Sequence, residues 1–209
     1  MLDLFSSLIG LIESVPGWLR NLLAGLAIML ETSIFVGLIM PGDTVVLVAS
    51  TGVSHWSDFF FLLMAVLIGS LIGETIGFAI GRFFGPRLRT SRLGQRIGEK
   101  NWNAADALVE KRGGIAVFIS RFLPVLHSLV PAVAGMTKMP YRIFIIWTFF
   151  ACAIWASLYV GVGYLARTSY ERLSGDLRLA TLVGIGILIV FLVVIAASKK
   201  ALNRMHVDS

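Results

Sequence analysis

The sequence predicts an all-α integral membrane protein: two oppositely oriented re-entrant hairpins, each followed by a transmembrane helix, plus a C-terminal transmembrane helix. Three observations carry that expectation. The chain is 57% hydrophobic and only 14% charged over 209 residues, a composition outside the range of soluble domains. Two of its apolar stretches are interrupted by Pro or Gly and hold charged residues where hydrocarbon tolerates them badly. The excess positive charge is gathered into one segment between apolar spans, the pattern of a cytoplasmic loop.

The elements follow in order, within a single membrane domain over 1–209. Residues 1–20 carry Leu4, Leu8, Leu11 and Ile12 at helical spacing and reach Pro16-Gly17, which predicts an interfacial helix of undetermined orientation. With no basic n-region and no small-residue cleavage site, a cleaved signal peptide is not expected. Residues 22–54 hold only two charges, Glu31 and Asp43, with Pro41-Gly42 just before the second. That run is too long for one span, and its part beyond the break is too short for another, so it is predicted to be re-entrant hairpin 1.

Residues 59–81 read as a full transmembrane helix carrying Glu74. The segment 82–113 is the predicted basic cytoplasmic loop. It has Arg82, Arg87, Arg89, Arg92, Arg96, Lys100, Lys111 and Arg112 against Glu99, Asp106 and Glu110, and a short surface helix is expected around 101–110. Residues 115–137 are apolar but hold Pro124, Pro131 and Arg121, and form predicted hairpin 2. Residues 141–166 and 179–197 are the remaining spans. Lys199, Lys200 and Arg204 then place the C-terminus in the cytoplasm. Hairpin plus span, twice and in opposite senses, is the inverted repeat of transporters, whose sites form where broken segments meet at the midplane.

Small residues recur every fourth position at Gly69, Gly73, Gly77, Gly81 and Gly85, and again at Ala153, Ser157 and Gly161. Such stripes let helices approach closely in lipid. Packing within the chain is the expected use, and a homodimer is the alternative. Cys152 is the only cysteine, so no internal disulfide forms. The basic segment has Trp102 as its only aromatic beyond the first residues, and nucleic-acid binding is not expected. Three scattered histidines offer no metal-site spacing, and no cofactor is expected.

The ionisable residues at membrane depth are the candidate site. Glu31 and Asp43 lie on opposite sides of the turn. Each can be a proton carrier, since desolvation in general favours a protonated carboxyl. Each also has a structural reading: a helix cap, strongest for Asp43 in Pro41-Gly42-Asp43-Thr44, or a counter-ion to Arg121. Glu74 faces the same cavity or the loop backbone. Arg121 offers a permanent charge and a planar fork suited to phosphate. Its structural role is to pair with Glu31 or Asp43. His127 can help bind an anion and respond to pH, or serve as a hydrogen-bonded helix-turn residue. Gly42, Pro41, Pro124 and Pro131 support these turns.

Ser120-Arg121 followed by His127 is similar to the third motif of type 2 phosphatidic acid phosphatases. The aspartate that orients the histidine in that motif is here Pro131, and the companion motifs are missing, so phosphoryl transfer lacks its players. No catalytic residue and no enzyme activity are expected.

Taken together and in order, several landmarks over residues 25–166 resemble the DedA family, also described by the VTT or SNARE-associated Golgi domain. They are Glu31 with Pro41-Gly42-Asp43, Gly73-Glu74, and Gly77 through Arg82 with Gly85. Ser120 through Pro124, Pro131 through Gly135, Trp155 and Gly163-Tyr164 complete the set. The resemblance implies facing hairpins and proton-motive-force-linked movement of lipids in the bacterial inner membrane. It ties Glu31 and Asp43 to proton coupling and Arg121 to substrate. Two positions depart from the family pattern: His127 stands where a second arginine is usual, and Phe78 where a tyrosine is. The expected function is a flippase for an anionic lipid, with polyprenyl (undecaprenyl-type) phosphate foremost and protons as coupling partner. The alternatives are a phospholipid scramblase, a proton-coupled antiporter of small cations or drugs, and a structural factor without transport.

Overall fold

The structure is a computed structural model that describes residues 15–33, 42–123 and 126–173. Most of the expected interfacial helix, the tip of hairpin 1 with Pro41, Pro124 and the 179–197 span lie outside the described residues. Every regular element within them is an α-helix: α1 Gly17–Ser33, α2 Gly42–Thr51, α3 Trp56–Thr90, α4 Arg92–Ile97, α5 Glu99–Arg112, α6 Gly114–Ser120, α7 Leu126–Met136 and α8 Tyr141–Leu173.

Among the described residues, α3 and α8 are the two helices long and apolar enough to cross a membrane, with mean hydropathies of 2.2 and 2.1 over their most apolar 18 residues. Along their middles, their outward faces are largely apolar. Phe60, Phe61, Met64, Ile68, Ile72 and Ile76 line α3, and Ile143, Ile146, Phe150, Ile154, Leu158 and Leu165 line α8, all exposed. A soluble protein rarely leaves so continuous an apolar face uncovered. In hydrocarbon it needs no cover. At 35 residues, α3 is about 52 Å long against roughly 30 Å of hydrocarbon, so it projects well beyond the bilayer. It does not end at 81 as expected but continues to Thr90 through Phe83, Phe84 and Leu88, with Arg87 and Arg89 in its last turn. Cations there complement the helix dipole.

The expected basic loop is largely helical. Trp102 on α5 is fully buried, and its indole N–H donates to the Gly94 carbonyl at 3.0 Å. Arg89 ties α3 to α5 by ion pairs with Glu99 at 2.7 Å and Asp106 at 2.8 Å. The hydrogen bond from Arg89 holds the Glu99 carboxyl below its ordinary range.

α3 is the spine. α1 runs along its first half and α7 along its second, and both contacts use the glycine stripe. Gly69 faces the backbone of Gly25, Gly73 faces Met29 and Thr32, Gly81 faces the Ala132 carbonyl and Gly85 faces Met136. The stripe is therefore filled by this chain's own helices. The second stripe behaves differently from expectation. Ser157 is exposed, and a side chain at Gly161 would meet nothing. α8 buries the other face instead, through Cys152, Trp155, Ala156 and Val160.

Two apolar cores result. One joins α1, α2, the first half of α3 and the second half of α8, around Ile28, Val46, Leu62 and Trp155. The other joins α5, α6, α7 and the remaining halves, around Phe78, Val117, Leu129 and Phe144. α1 and α2 are antiparallel: Arg20 near one end donates to the Gly52 carbonyl at 2.6 Å, and Glu31 near the other accepts from the Asp43 amide. Arg20 also pairs with Asp58. Arg167, just past the expected end of the span at 166, is buried on the continuing α8 and donates to the Thr51 carbonyl at 3.4 Å.

Gly81→Ala forces a methyl group into the Ala132 backbone and is expected to cost about 1–3 kcal/mol. Gly161→Ala meets open space and is expected to be neutral or to stabilise by roughly 0.5–1 kcal/mol. Thermal unfolding of the two variants in the same detergent measures the contrast.

Candidate functional site

The chain breaks twice beside the middle of α3, and the residues at the breaks meet there. Between α6 and α7 the helix opens into a turn at Arg121, Phe122 and Leu123. Pro124 follows in sequence, and a residue preceding proline is disfavoured in the helical region. Pro131 causes no such break, since α7 runs through it. On the other side, α2 begins at Gly42, tight against Glu31 and the Ala27 backbone, where no side chain fits.

Arg121 is the centre. Its guanidinium donates through Nη1 to Glu74 Oε1 at 3.0 Å and through Nη2 to Ser70 Oγ at 3.3 Å. It also lies over the Trp155 ring, 4.3 Å from the centroid. The Arg121 and Glu74 side chains are 2% and 5% exposed, so each charge depends on the other in a medium that would otherwise reject both. Arg121 Nε is buried with no hydrogen-bond partner among the described residues. The expected partners of Arg121, Glu31 and Asp43, are not the ones it bonds. Glu74 takes that place because it sits one turn beyond Ser70 on the face of α3 turned toward the breaks.

Glu31, buried on α1, accepts the Asp43 backbone N–H through Oε2 at 2.9 Å, so its carboxylate closes the N-terminus of α2. The cap read for Asp43 is thus supplied in part by Glu31. Asp43 itself stands in the first turn of α2, within electrostatic reach of Arg121, Glu31 and His127. His127 Nδ1 hydrogen-bonds the Leu123 carbonyl at 3.3 Å, and its Nε2 lies 3.7 Å from Glu31 Oε1. Pro131 lies against Gly77 and supports the α3–α7 contact. Pro41 and Pro124 lie outside the described residues.

Ser70 and Trp155 are site residues that reasoning from sequence missed. Ser70 carried a usable signal, its helical spacing from Glu74. Trp155 carried none toward Arg121, thirty-four positions earlier in the chain.

A VTT domain is matched over residues 40–165, which takes in Asp43, Glu74, Arg121 and His127. The chain belongs to the DedA family. Protein DedA of Escherichia coli is 28% identical over 146 residues, covering 68% of this chain and 67% of that protein. Undecaprenyl phosphate transporter A of Bacillus subtilis is 28% identical over 165 residues, covering 77% of this chain and 80% of that one. A Lactococcus lactis relative called alkaline phosphatase-like protein is 30% identical over 122 residues, covering 56% and 57% of the two chains. No solved structure matches. This DedA-family protein is accordingly a membrane protein, and its two apolar helices fit that class.

Glu74→Ala strands the Arg121 guanidinium and is expected to destabilise by about 3–5 kcal/mol. Glu74→Gln keeps an acceptor oxygen and should cost less. Denaturant unfolding in detergent, followed by Trp fluorescence, ranks the two.

Proposed function

We propose that this protein is a proton-motive-force-linked flippase for an anionic lipid, with polyprenyl (undecaprenyl-type) phosphate as first candidate. It would act between the leaflets of the bacterial cytoplasmic membrane. The observation that carries the reading is Arg121: a buried, permanently charged fork held by one carboxylate, with Nε left over. A phosphate monoester presents the oxygens such a fork recognises and can take the place of Glu74. The lipid tail would stay in the bilayer while the headgroup occupies the pocket. The relative named as an undecaprenyl phosphate transporter supports this substrate class.

The helix lengths support re-entrant hairpins in an inverted repeat. α2 and α7 have 10 and 11 residues, about half of the roughly 20 needed to span. The antiparallel α1–α2 pair opens toward Arg20, whereas the second break opens toward the basic segment. On this reading the basic segment and the C-terminus are cytoplasmic. Glu31 and Asp43 would load and release protons as the pocket alternates between leaflets. The role is transport, not catalysis, despite the phosphatase-like name borne by some relatives.

Purified protein in liposomes, assayed for leaflet exchange of polyprenyl phosphate, tests the reading. Arg121→Ala should slow exchange about tenfold or more, from the loss of charged hydrogen bonds worth roughly 1.5–3 kcal/mol. Arg121→Lys should rescue only part. Exchange at the wild-type rate in Arg121→Ala overturns the proposal. Cation exchange without lipid would favour the antiporter, and His127-dependent phosphate release the phosphatase.

A further inference from the structure

His127 raises a question of proton count. Its Nδ1 faces the Leu123 carbonyl at 3.3 Å, and a carbonyl only accepts, so Nδ1 carries the hydrogen. In the neutral ring Nε2 then bears a lone pair. That atom is buried without a hydrogen-bond partner among the described residues and lies 3.7 Å from Glu31 Oε1. A lone pair turned toward a carboxylate is repelled, and one proton added between them converts repulsion into a charge-assisted contact.

The surroundings point the same way. Among the described residues, the charged and titratable groups within electrostatic reach of the pair are Asp43 on α2, Glu74 on α3, Arg121 at the α6–α7 break and Tyr159 on α8, with Cys152 beside Arg121 and Glu74. With Glu31, three carboxyls therefore share one permanent cation among the described residues, and that cation is engaged by Glu74. An uncompensated negative charge at this depth is costly. The Glu31–His127 contact is where the described geometry leaves room for a further proton.

We infer that the exchangeable proton of this site resides between His127 Nε2 and Glu31 Oε1, which makes His127 a proton carrier and not an anion clamp. The His127 side chain is 15% exposed, against 5% for Glu31, so the ring is the less enclosed member of the pair, although Nε2 itself is buried. In loading, a proton drawn from the aqueous phase forms the N–H bond at Nε2, and the imidazolium draws in the Glu31 carboxylate. In unloading, that N–H bond breaks, the electron pair stays on nitrogen, and the proton returns to water. Asp43 stands beside the pair as a second carboxyl, with its backbone N–H donating to Glu31. The link to transport rests on the flippase reading. The protonation does not.

Nitrogen NMR on the full chain in lipid bilayers tests it, with imidazole-labelled protein and His127→Gln to assign the signal among three histidines. The expected result is a neutral ring protonated at Nδ1 that becomes doubly protonated as pH falls. In Glu31→Gln that conversion should move to lower pH; the amide oxygen can still accept the Asp43 N–H, so the fold is kept. A neutral ring protonated at Nε2, or a conversion indifferent to Glu31→Gln, overturns the inference. In the exchange assay with polyprenyl phosphate, His127→Arg should flatten the pH profile, and an unchanged profile overturns the coupling role. Absence of exchange in the wild type would sink the flippase reading while the NMR result still decides the proton site.

Discussion

A guanidinium that can never shed its charge sits near the middle of a membrane helix, and the rest of the site is arranged around that fact. Arg121 needs an anion, a second acceptor and a polarisable face. Glu74, Ser70 and Trp155 supply them from α3 and α8. The requirement explains why the α6–α7 segment opens where it does, since a continuous helix would commit Arg121 to one face. It also explains why α3 presents polar Ser70 and Glu74 within an otherwise glycine-lined seam.

That seam brings the two halves together. Without side chains at Gly69, Gly73 and Gly81, α1 and α7 approach α3 to backbone contact, and the breaks on either side come to the same height. The two ends of α2 are held by different chemistry. Its last carbonyls, at Thr51 and Gly52, are bound by Arg20 and Arg167, whose charges do not vary with pH. Its first amide, at Asp43, is bound by Glu31, whose neighbour is a histidine. One end is tied by two permanent cations and the other by a carboxylate beside an imidazole.

Membership of the DedA family and the likeness to a named undecaprenyl phosphate transporter fit the anion site proposed around Arg121. In the proposed scheme two duties are divided: Arg121 holds phosphate, and His127 with Glu31 holds the proton.

Much of this protein was legible residue by residue. Hydropathy alone marked the two long spans, because lipid accepts only apolar faces. The rarity of charge within the apolar stretches singled out Glu31, Asp43, Glu74 and Arg121, because each is too costly there to be incidental. The first glycine stripe announced a close helix contact. Pairing was another matter. That Arg121 meets Glu74 and not Glu31, that Arg20 and Arg167 converge on the end of α2, that the second small-residue stripe faces outward, and that Trp102 is buried under a nominal surface loop all depend on which helix faces meet. Local pattern fixes a residue's face on its own helix. Only the docking of helices decides what that face touches, because a buried charge selects its partner by distance in space, to which separation along the chain is blind.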